Sequence, residues 1–300
     1  MKAFHVYSLK PSATWYGRER KVNHCSFPDF ELLALILSAL YWRRHNGSIK
    51  LYTDDICADY FADRKLDGLW DDGIDTTALA NTHLSTNFTT FWAFARTIAL
   101  YHERSPCFML DMDMIVWKPI AHLLRADFMA IHCEPLTFPV YIPKSQLVTP
   151  VGYQWDEWDW TVSPCNAALM YFGHDSARQY CAEQGLQFMH NNFVDEATDF
   201  PAYAVFVEQR LYPMCMHKKG VDIQYFLRDF EGKLLADGTV NDTFTHLWLY
   251  KRLLVSDTKR RLQLCMRMIK RIVREFPAFE STLFRLPEIT TLLREQQFQD

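Results

Sequence analysis

Residues 108–120 (FMLDMDMIVWKPI) constrain the chain most, because two aspartates interrupt an otherwise apolar run. The length of the run and its β-branched second half predict a buried strand that Pro119 stops. Ionised carboxylates are costly to bury without partners, and two of them close together also repel each other. A divalent cation between Asp111 and Asp113 removes both penalties, so the run predicts a metal site.

The geometry of a strand end supports this prediction. Its period of two residues points the side chains of Asp111 and Asp113 to one side and Met112 to the other. Oxygen ligands favour Mg²⁺ or Mn²⁺ over Zn²⁺, and such ions commonly bind through one or two carboxylates plus substrate phosphates. The pair therefore indicates a substrate with a diphosphate. The alternative is a pair that caps a following helix, since Asp is common at helix N-termini.

The composition limits the classes of protein that can contain such a site. The chain has 300 residues, 49% of them apolar, which is enough for one large domain or two small ones. A formal net charge of -4 argues against nucleic acid as a partner. The eight cysteines are scattered singly, which predicts reduced thiols. Because the first residues are too polar for a signal peptide and no apolar run is long enough for a membrane helix, we expect a cytoplasmic protein.

The beginning of the chain predicts a β-α-β unit. A strand over residues 3–9 is followed by a helix from Asp29 that has acids first, bases last and Asn46-Gly47 as its stop. A second strand over residues 48–53 comes next. This order predicts a parallel pair of strands and a three-layer α/β fold. The end of the first strand, with Tyr7 and Ser8, is expected to face a ligand.

Polar residues interrupt the middle of the chain at several predicted elements. A helix over residues 88–101 carries Arg96 beside its apolar stripe, and a strand over residues 128–133 contains His132 as an expected core histidine. The long segment 136–164 holds a cluster of tryptophans and acids around Asp156. Aromatic rings among carboxylates suit sugar binding, and the alternative is a loop that its tryptophans fix to the core.

The second half of the chain continues this pattern. Asn166 stands at the mouth of a predicted strand that Gly173 closes, and Glu208 lies in a predicted helix over residues 203–214. After Ser256, cations and apolar residues alternate at helical spacing. We therefore predict a domain over residues 1–255 and a basic helical extension over residues 256–300.

Together these residues resemble the GT-A-fold glycosyltransferases, with families eight and thirty-two nearest in pattern, over about residues 1–255. The resemblance implies a Rossmann-like, mixed and mainly parallel sheet flanked by helices. In those families an Asp-x-Asp motif binds Mn²⁺ or Mg²⁺ and the diphosphate of a nucleotide sugar, and Asp111 and Asp113 match it. A late histidine completes the coordination in family eight, and His246 matches it by order. Lys251 matches a following lysine that touches the diphosphate, although the glycine of that motif is missing.

The resemblance also implies roles for residues outside the metal motif. Asn166 matches an asparagine near the donor or acceptor sugar, and Glu208-Gln209 approximates an Asp-Gln pair of these enzymes. Tyr7, Ser8 and Arg96 are then expected to contact the donor. The implied reaction moves a sugar, of hexosyltransferase type, from a nucleotide-diphosphate sugar to a glycan or lipid-linked acceptor, as in polysaccharide biosynthesis.

The chemistry of transfer is consistent with this assignment. Negative charge grows on the leaving phosphate, and a metal with nearby cations stabilises it. Whether the anomer is inverted or retained depends on a carboxylate placed to deprotonate the acceptor. Glu208, Asp156 and Asp159 are candidates for that carboxylate, with a surface role as the default for each.

The sequence is also compatible with two other functions and with one other partner. Haloacid dehalogenase phosphatases also place Asp-x-Asp after apolar residues, with a nucleophilic first aspartate, but the motif here lies mid-chain and Ile115 takes a position that is usually polar. A non-catalytic nucleotide-sugar binder in a surface-polysaccharide assembly is the second alternative. The helix over 259–274 either lies on an anionic membrane at the inner face or packs onto the core through Leu262, Ile269 and Val273.

Overall fold

The computed structural model describes residues 1–9, 24–154, 158–194, 201–227, 242–248 and 250–297. The strands are β1 Lys2–Val6, β2 Ile49–Tyr52, β3 Ile74–Asp75, β4 Cys107–Leu110, β5 Met114–Val116, β6 Phe128–Ala130, β7 Leu169–Phe172, β8 Ile223–Tyr225 and β9 Phe244–His246. The α-helices are α1 Asp29–His45, α2 Asp55–Asp63, α3 Thr77–Ala80, α4 Phe94–His102, α5 Asp175–Met189, α6 Ala202–Val205, α7 Tyr212–Lys218, α8 Tyr250–Ser256, α9 Thr258–Glu275, α10 Glu280–Leu283 and α11 Pro287–Gln297. Short 3₁₀-helices cover Asp67–Leu69, Ala121–Leu123, Lys144–Gln146 and Pro277–Phe279, and a π-helix covers Phe206–Leu211.

Within the described ranges, seven strands form one sheet in the order β3-β2-β1-β4-β7-β6-β8, and β5 pairs with β9 in a second, two-stranded sheet. Strands β3, β2, β1 and β4 pair with one another in parallel, and β6 pairs in parallel with β8, whereas β7 runs antiparallel to both β4 and β6. The predicted mixed, mainly parallel α/β sheet is thereby confirmed. The predicted parallel pair at the start of the chain is confirmed as β1 and β2.

The sheet separates two apolar cores, because successive strand residues point to opposite faces. Ala3 and Phe108 lie in the core that α1 and α9 cover, and Phe4 and Met109 lie in the core that α4 and α5 cover. Among the described helices, none combines the length and apolar content that crossing a bilayer requires.

The run of residues 108–120 is two strands rather than one, so the single strand predicted there is wrong. β4 ends at Leu110, the backbone N–H of Asp111 donates to the carbonyl of Ala168 (2.8 Å), and the N–H of Met114 closes a turn onto the carbonyl of Asp111 (3.0 Å). The chain then leaves the large sheet and enters the small one as β5. The aspartates consequently lie in a turn at the carboxyl edge of β4, outside either ladder.

The basic helix forms as α9 and packs on α1. Its apolar stripe, including Leu262 and Ile269, is buried in the core. The cations Lys259, Arg267 and Lys270 stay exposed on its other side. Packing onto the core, one of the two alternatives for this helix, is thus observed, and any contact with a membrane has to use the exposed cations alone. The domain boundary between residues 255 and 256 stays a prediction.

Candidate active site

Several elements bring polar side chains to the turn after β4. Asp111 and Asp113 occupy the turn, and His246 ends β9, where it stands opposite Met114 in the antiparallel register. Lys251 comes from the first turn of α8, and Arg96 from the first turn of α4. These residues are far apart in sequence, and the pairing of β5 with β9 joins the two halves of the group.

Each aspartate of the turn divides its oxygens between a cation and His246. Asp111 is ion-paired through Oδ1 with Arg96, and its Oδ2 lies 3.6 Å from His246 Nε2. Asp113 Oδ1 lies 3.7 Å from the same nitrogen, and its Oδ2 lies 3.0 Å from Lys251 Nζ. One oxygen of each carboxylate and the imidazole nitrogen therefore face a common point.

These three residues suit a divalent metal ion. One potential ligand atom from each of Asp111, Asp113 and His246 lies within 4.8 Å of the others. Ligand bonds of about 2.1 Å place two ligands of an octahedral ion about 3 Å apart when adjacent and about 4.2 Å apart when opposite. The separations of 3.6 and 3.7 Å from His246 Nε2 fall in that range. Two carboxylates and one imidazole leave further positions for phosphate oxygens, as Mn²⁺ and Mg²⁺ sites require.

Lys251 adds a positive charge beside the metal cluster. Its ammonium group lies between Asp113 (3.0 Å) and Glu31 (3.6 Å). Burial by itself raises the pKa of the Asp113 carboxyl, but Lys251 and His246 outweigh it, so the pKa lies below the ordinary value. Asp113 is therefore ionised at neutral pH, which is the state that a metal ligand needs.

Arg96 connects the metal cluster to Glu208. Its guanidinium pairs with Asp111, lies 3.0 Å from Glu208 Oε1 and donates to the carbonyl of Ala167 (2.5 Å). Glu208 lies in the π-helix Phe206–Leu211, an irregular helix type that is frequent at functional sites. Burial raises the pKa of Glu208 to about 7, with Arg96 opposing the rise and Asp111 adding to it. The carboxyl can thus gain or lose a proton near neutral pH.

Asn166 lies just before β7, the strand whose mouth it was predicted to occupy, and it holds a carboxyl that was not predicted as a site residue, that of Glu134. Its amide Nδ2 donates to Glu134 Oε1 (2.9 Å), and its Oδ1 accepts from the N–H of Ala168 (3.0 Å). The hydroxyl of Tyr141 hydrogen-bonds Glu134 and lies 2.6 Å from Gln209 Oε1. Burial raises the pKa of Glu134, and the bonds from Tyr141 and Asn166 oppose that rise. The only sequence signal for Glu134 is its position after the strand predicted over residues 128–133, which by itself does not mark a site residue.

The other predicted residues lie outside this group or outside the described residues. Tyr7 and Ser8 follow β1 at the same edge of the sheet, and the ring of Tyr7 packs on Phe27 at 4.7 Å. Their contact with a donor stays a prediction. Asp156 lies outside the described residues. Asp159 accepts from the N–H of Thr161 (2.8 Å) in a turn, which agrees with its default surface role.

His132, expected in the core, is buried there. Burial lowers its pKa to about 4, so its imidazole is neutral at physiological pH.

Comparison with known proteins adds a family and a set of similar structures. The model of a family of unknown function (DUF6734) matches residues 15–286. Among curated proteins none matches.

Three of the similar solved structures are glycosyltransferases. The PaToxG glycosyltransferase aligns with a TM-score of 0.40 at 8% identity, over 73% of this chain and 69% of that chain. An active-site mutant of LgtC aligns with a TM-score of 0.37 at 12% identity, over 75% and 72%. The galactosyltransferase LgtC in complex with donor and acceptor sugar analogues aligns with a TM-score of 0.35 at 12% identity, over 75% and 73%. Such loose superpositions transfer no residue roles to this chain.

Proposed function

The chain belongs to a family of unknown function, DUF6734, and we propose that it is a metal-dependent glycosyltransferase. In this proposal it moves a hexose from a nucleotide-diphosphate sugar to a glycan or lipid-linked acceptor in the cytoplasm. One observation carries the proposal: Asp111, Asp113 and His246 face a common point. Two hard carboxylates and one imidazole leave coordination positions on the ion for phosphate oxygens.

Several residues of the site contribute to breaking the bond between the sugar and the diphosphate. Asp111, Asp113 and His246 would hold Mn²⁺ or Mg²⁺, which would supply positive charge for the leaving phosphate. Lys251, 3.0 Å from Asp113, is placed to give the diphosphate a second cation. Its contact with Asp113 holds the ammonium group beside the metal ligands, so the charge is in position before the donor binds.

Glu208 is the proton acceptor in this proposal. A base works best when its pKa lies near the working pH, and burial raises the pKa of Glu208 to about 7. Arg96 bridges Glu208 and Asp111, which ties the base to the metal ligands. Asn166, Tyr7 and Ser8 complete the proposed donor contacts. Asp156 remains a candidate carboxylate on the sequence alone.

Donor binding tests the metal assignment. With Mn²⁺ present, a uridine or guanosine diphosphate sugar should raise the melting temperature of the protein, because a ligand that binds only the native state stabilises it. The double substitution Asp111→Asn with Asp113→Asn should abolish that rise. Asp59→Asn with Asp63→Asn, on the exposed side of α2, makes the same change in charge and should keep it. A double mutant of the turn that binds donor as well as the wild type would show that the site assignment is wrong.

Turnover then separates the candidate functions. A panel of nucleotide sugars and one generic phosphate ester is incubated with the protein and Mn²⁺. Release of nucleoside diphosphate supports the transferase, and release of phosphate from the ester supports the phosphatase. Donor binding without either product supports a non-catalytic nucleotide-sugar binder. Arg96 pairs with Asp111 Oδ1. This contact favours the transferase over the phosphatase, because the nucleophilic aspartate of a phosphatase needs a carboxylate oxygen that is free to attack the substrate phosphorus.

A further inference from the structure

A chain of buried hydrogen bonds runs beneath the turn that carries the two aspartates. The indole Nε1 of Trp70 lies 3.2 Å from His5 Nδ1, and His5 Nε2 lies 3.1 Å from the hydroxyl of Ser38. That hydroxyl donates to the carbonyl of Met114 (2.6 Å). His5 and Ser38 are fully buried and Trp70 is almost so. These hydrogen bonds thus connect β1, α1 and the residue after the 3₁₀-helix Asp67–Leu69 to Met114, the first residue of β5.

The donor and acceptor chemistry of these groups fixes every proton in the chain. An indole N–H only donates, so Nδ1 of His5 is the acceptor and its proton resides on Nε2. Nε2–H then donates to the Ser38 oxygen, which leaves the Ser38 hydrogen for the carbonyl of Met114. Burial lowers the pKa of His5 to about 3, an effect that Asp113 opposes and Arg96 reinforces, so the imidazole stays neutral. The series of hydrogen bonds therefore has a single set of donors and acceptors, and its last acceptor is the carbonyl of Met114.

Met114 belongs to the backbone segment that presents the metal ligands. Residues 111–114, here called the metal loop, are fixed by three backbone hydrogen bonds. They are Asp111 N–H to Ala168 O (2.8 Å), Met114 N–H to Asp111 O (3.0 Å) and Leu247 N–H to Asp113 O (3.3 Å). Ser38 adds a bond at the residue that stands opposite His246 in the β5–β9 register. A shift at Met114 therefore moves Asp113 and His246 relative to each other.

We propose that His5 and Ser38 are positioning residues for the metal centre, which hold the metal loop at Met114 so that Asp113 and His246 converge. The inference rests on the proposed function in so far as the cluster binds a metal. Outer partners of metal ligands commonly change affinity by about 10-fold to 100-fold when they are removed. The effect passes through the backbone of Met114, since neither side chain belongs to the cluster.

Mn²⁺ affinity, measured by calorimetry on the folded full-length protein, tests the proposal. Ser38→Ala and His5→Leu should each raise the dissociation constant by about 10-fold. His5→Gln keeps one donor and one acceptor at the end of the side chain and should restore most of the affinity. Thr90→Val is the matched control, because it removes another buried hydroxyl that donates to a carbonyl, that of Val194 (3.1 Å). Wild-type affinity in Ser38→Ala would overturn the proposal.

Amide hydrogen exchange on the metal-free protein supplies a test that does not depend on metal binding. The amides of Met114 and Leu247 close the metal loop, and we expect both to exchange about 10-fold faster in Ser38→Ala but not in Thr90→Val. If the wild type binds neither Mn²⁺ nor Mg²⁺, the proposed function fails, and this measurement still judges the positioning role. Unchanged exchange at both amides in Ser38→Ala would show that the hydrogen-bond chain does not hold the loop.

Discussion

Replacing Glu208 by glutamine should change how the stability of the protein depends on pH. Burial raises the pKa of this carboxyl from the ordinary 4.5 to about 7, with Arg96 opposing and Asp111 adding to the rise. Between these two values the native protein keeps a proton that the unfolded chain has released, so the free energy of unfolding falls as the pH rises. A tenfold change in proton affinity is worth about 1.4 kcal/mol, which gives a loss of about 3 kcal/mol once both states are ionised.

Glutamine cannot ionise, so Glu208→Gln should escape that loss. Urea denaturation of both proteins from about pH 5 to about pH 8 gives the difference between their free energies of unfolding. The difference should grow with pH in favour of the variant, toward about 3 kcal/mol. Glu280→Gln, an exposed substitution of the same kind, is the control and should give a flat difference. A flat or falling difference for Glu208→Gln would refute the argument that the native protein holds a proton on this carboxyl.

Three further predictions concern the metal ligand, the neighbouring lysine and the basic helix. His246→Ala should raise the Mn²⁺ concentration needed for donor binding, whereas His132→Ala should lower the melting temperature and leave metal affinity unchanged; equal metal affinity in the two variants would remove His246 from the site. Lys251→Met should weaken binding of a nucleoside diphosphate by about 1.5 to 3 kcal/mol, as expected for a lost charged contact, and undiminished binding would place the diphosphate elsewhere. The full-length protein should bind anionic liposomes at low salt through the exposed cations of α9, each worth about 1 kcal/mol, and release them at high salt; if it ignores them even at low salt, the membrane prediction is wrong.

Local patterns in the sequence predict most of the architecture. The helix predicted from Asp29 to the Asn46-Gly47 stop is α1, Asp29–His45, because its charges, apolar content and stop signal all agree. The same kind of pattern fails at residues 108–120. The apolar run continues on both sides of Asp111, and the hydrogen bond to Ala168 that marks the end of β4 comes from a distant part of the chain. Periodicity carries no information about such a bond.

The residues of the site also differ in whether local sequence or partners distant in sequence identify them. Asp111 and Asp113 are recognisable in the sequence, because carboxylates in an apolar run demand a partner. Glu134 and His5 cannot be recognised in the sequence, because their importance depends on hydrogen-bond partners from other elements. The partner of Glu134 is Asn166, and that of His5 is Ser38. A lone acid after a short strand, or a histidine inside one, is ordinary until those partners are in place.

The antiparallel register that sets Met114 opposite His246 has a consequence for the order of folding. The two halves of the metal cluster come from distant parts of the chain, so bringing them together requires closure of a long loop, which is slow compared with forming local helices. Among the described residues, the large sheet draws none of its strands from the last part of the chain, whereas the cluster needs β9. We therefore expect Mn²⁺ affinity to appear after most of the helical signal during refolding, so that the metal reports the docking of β9.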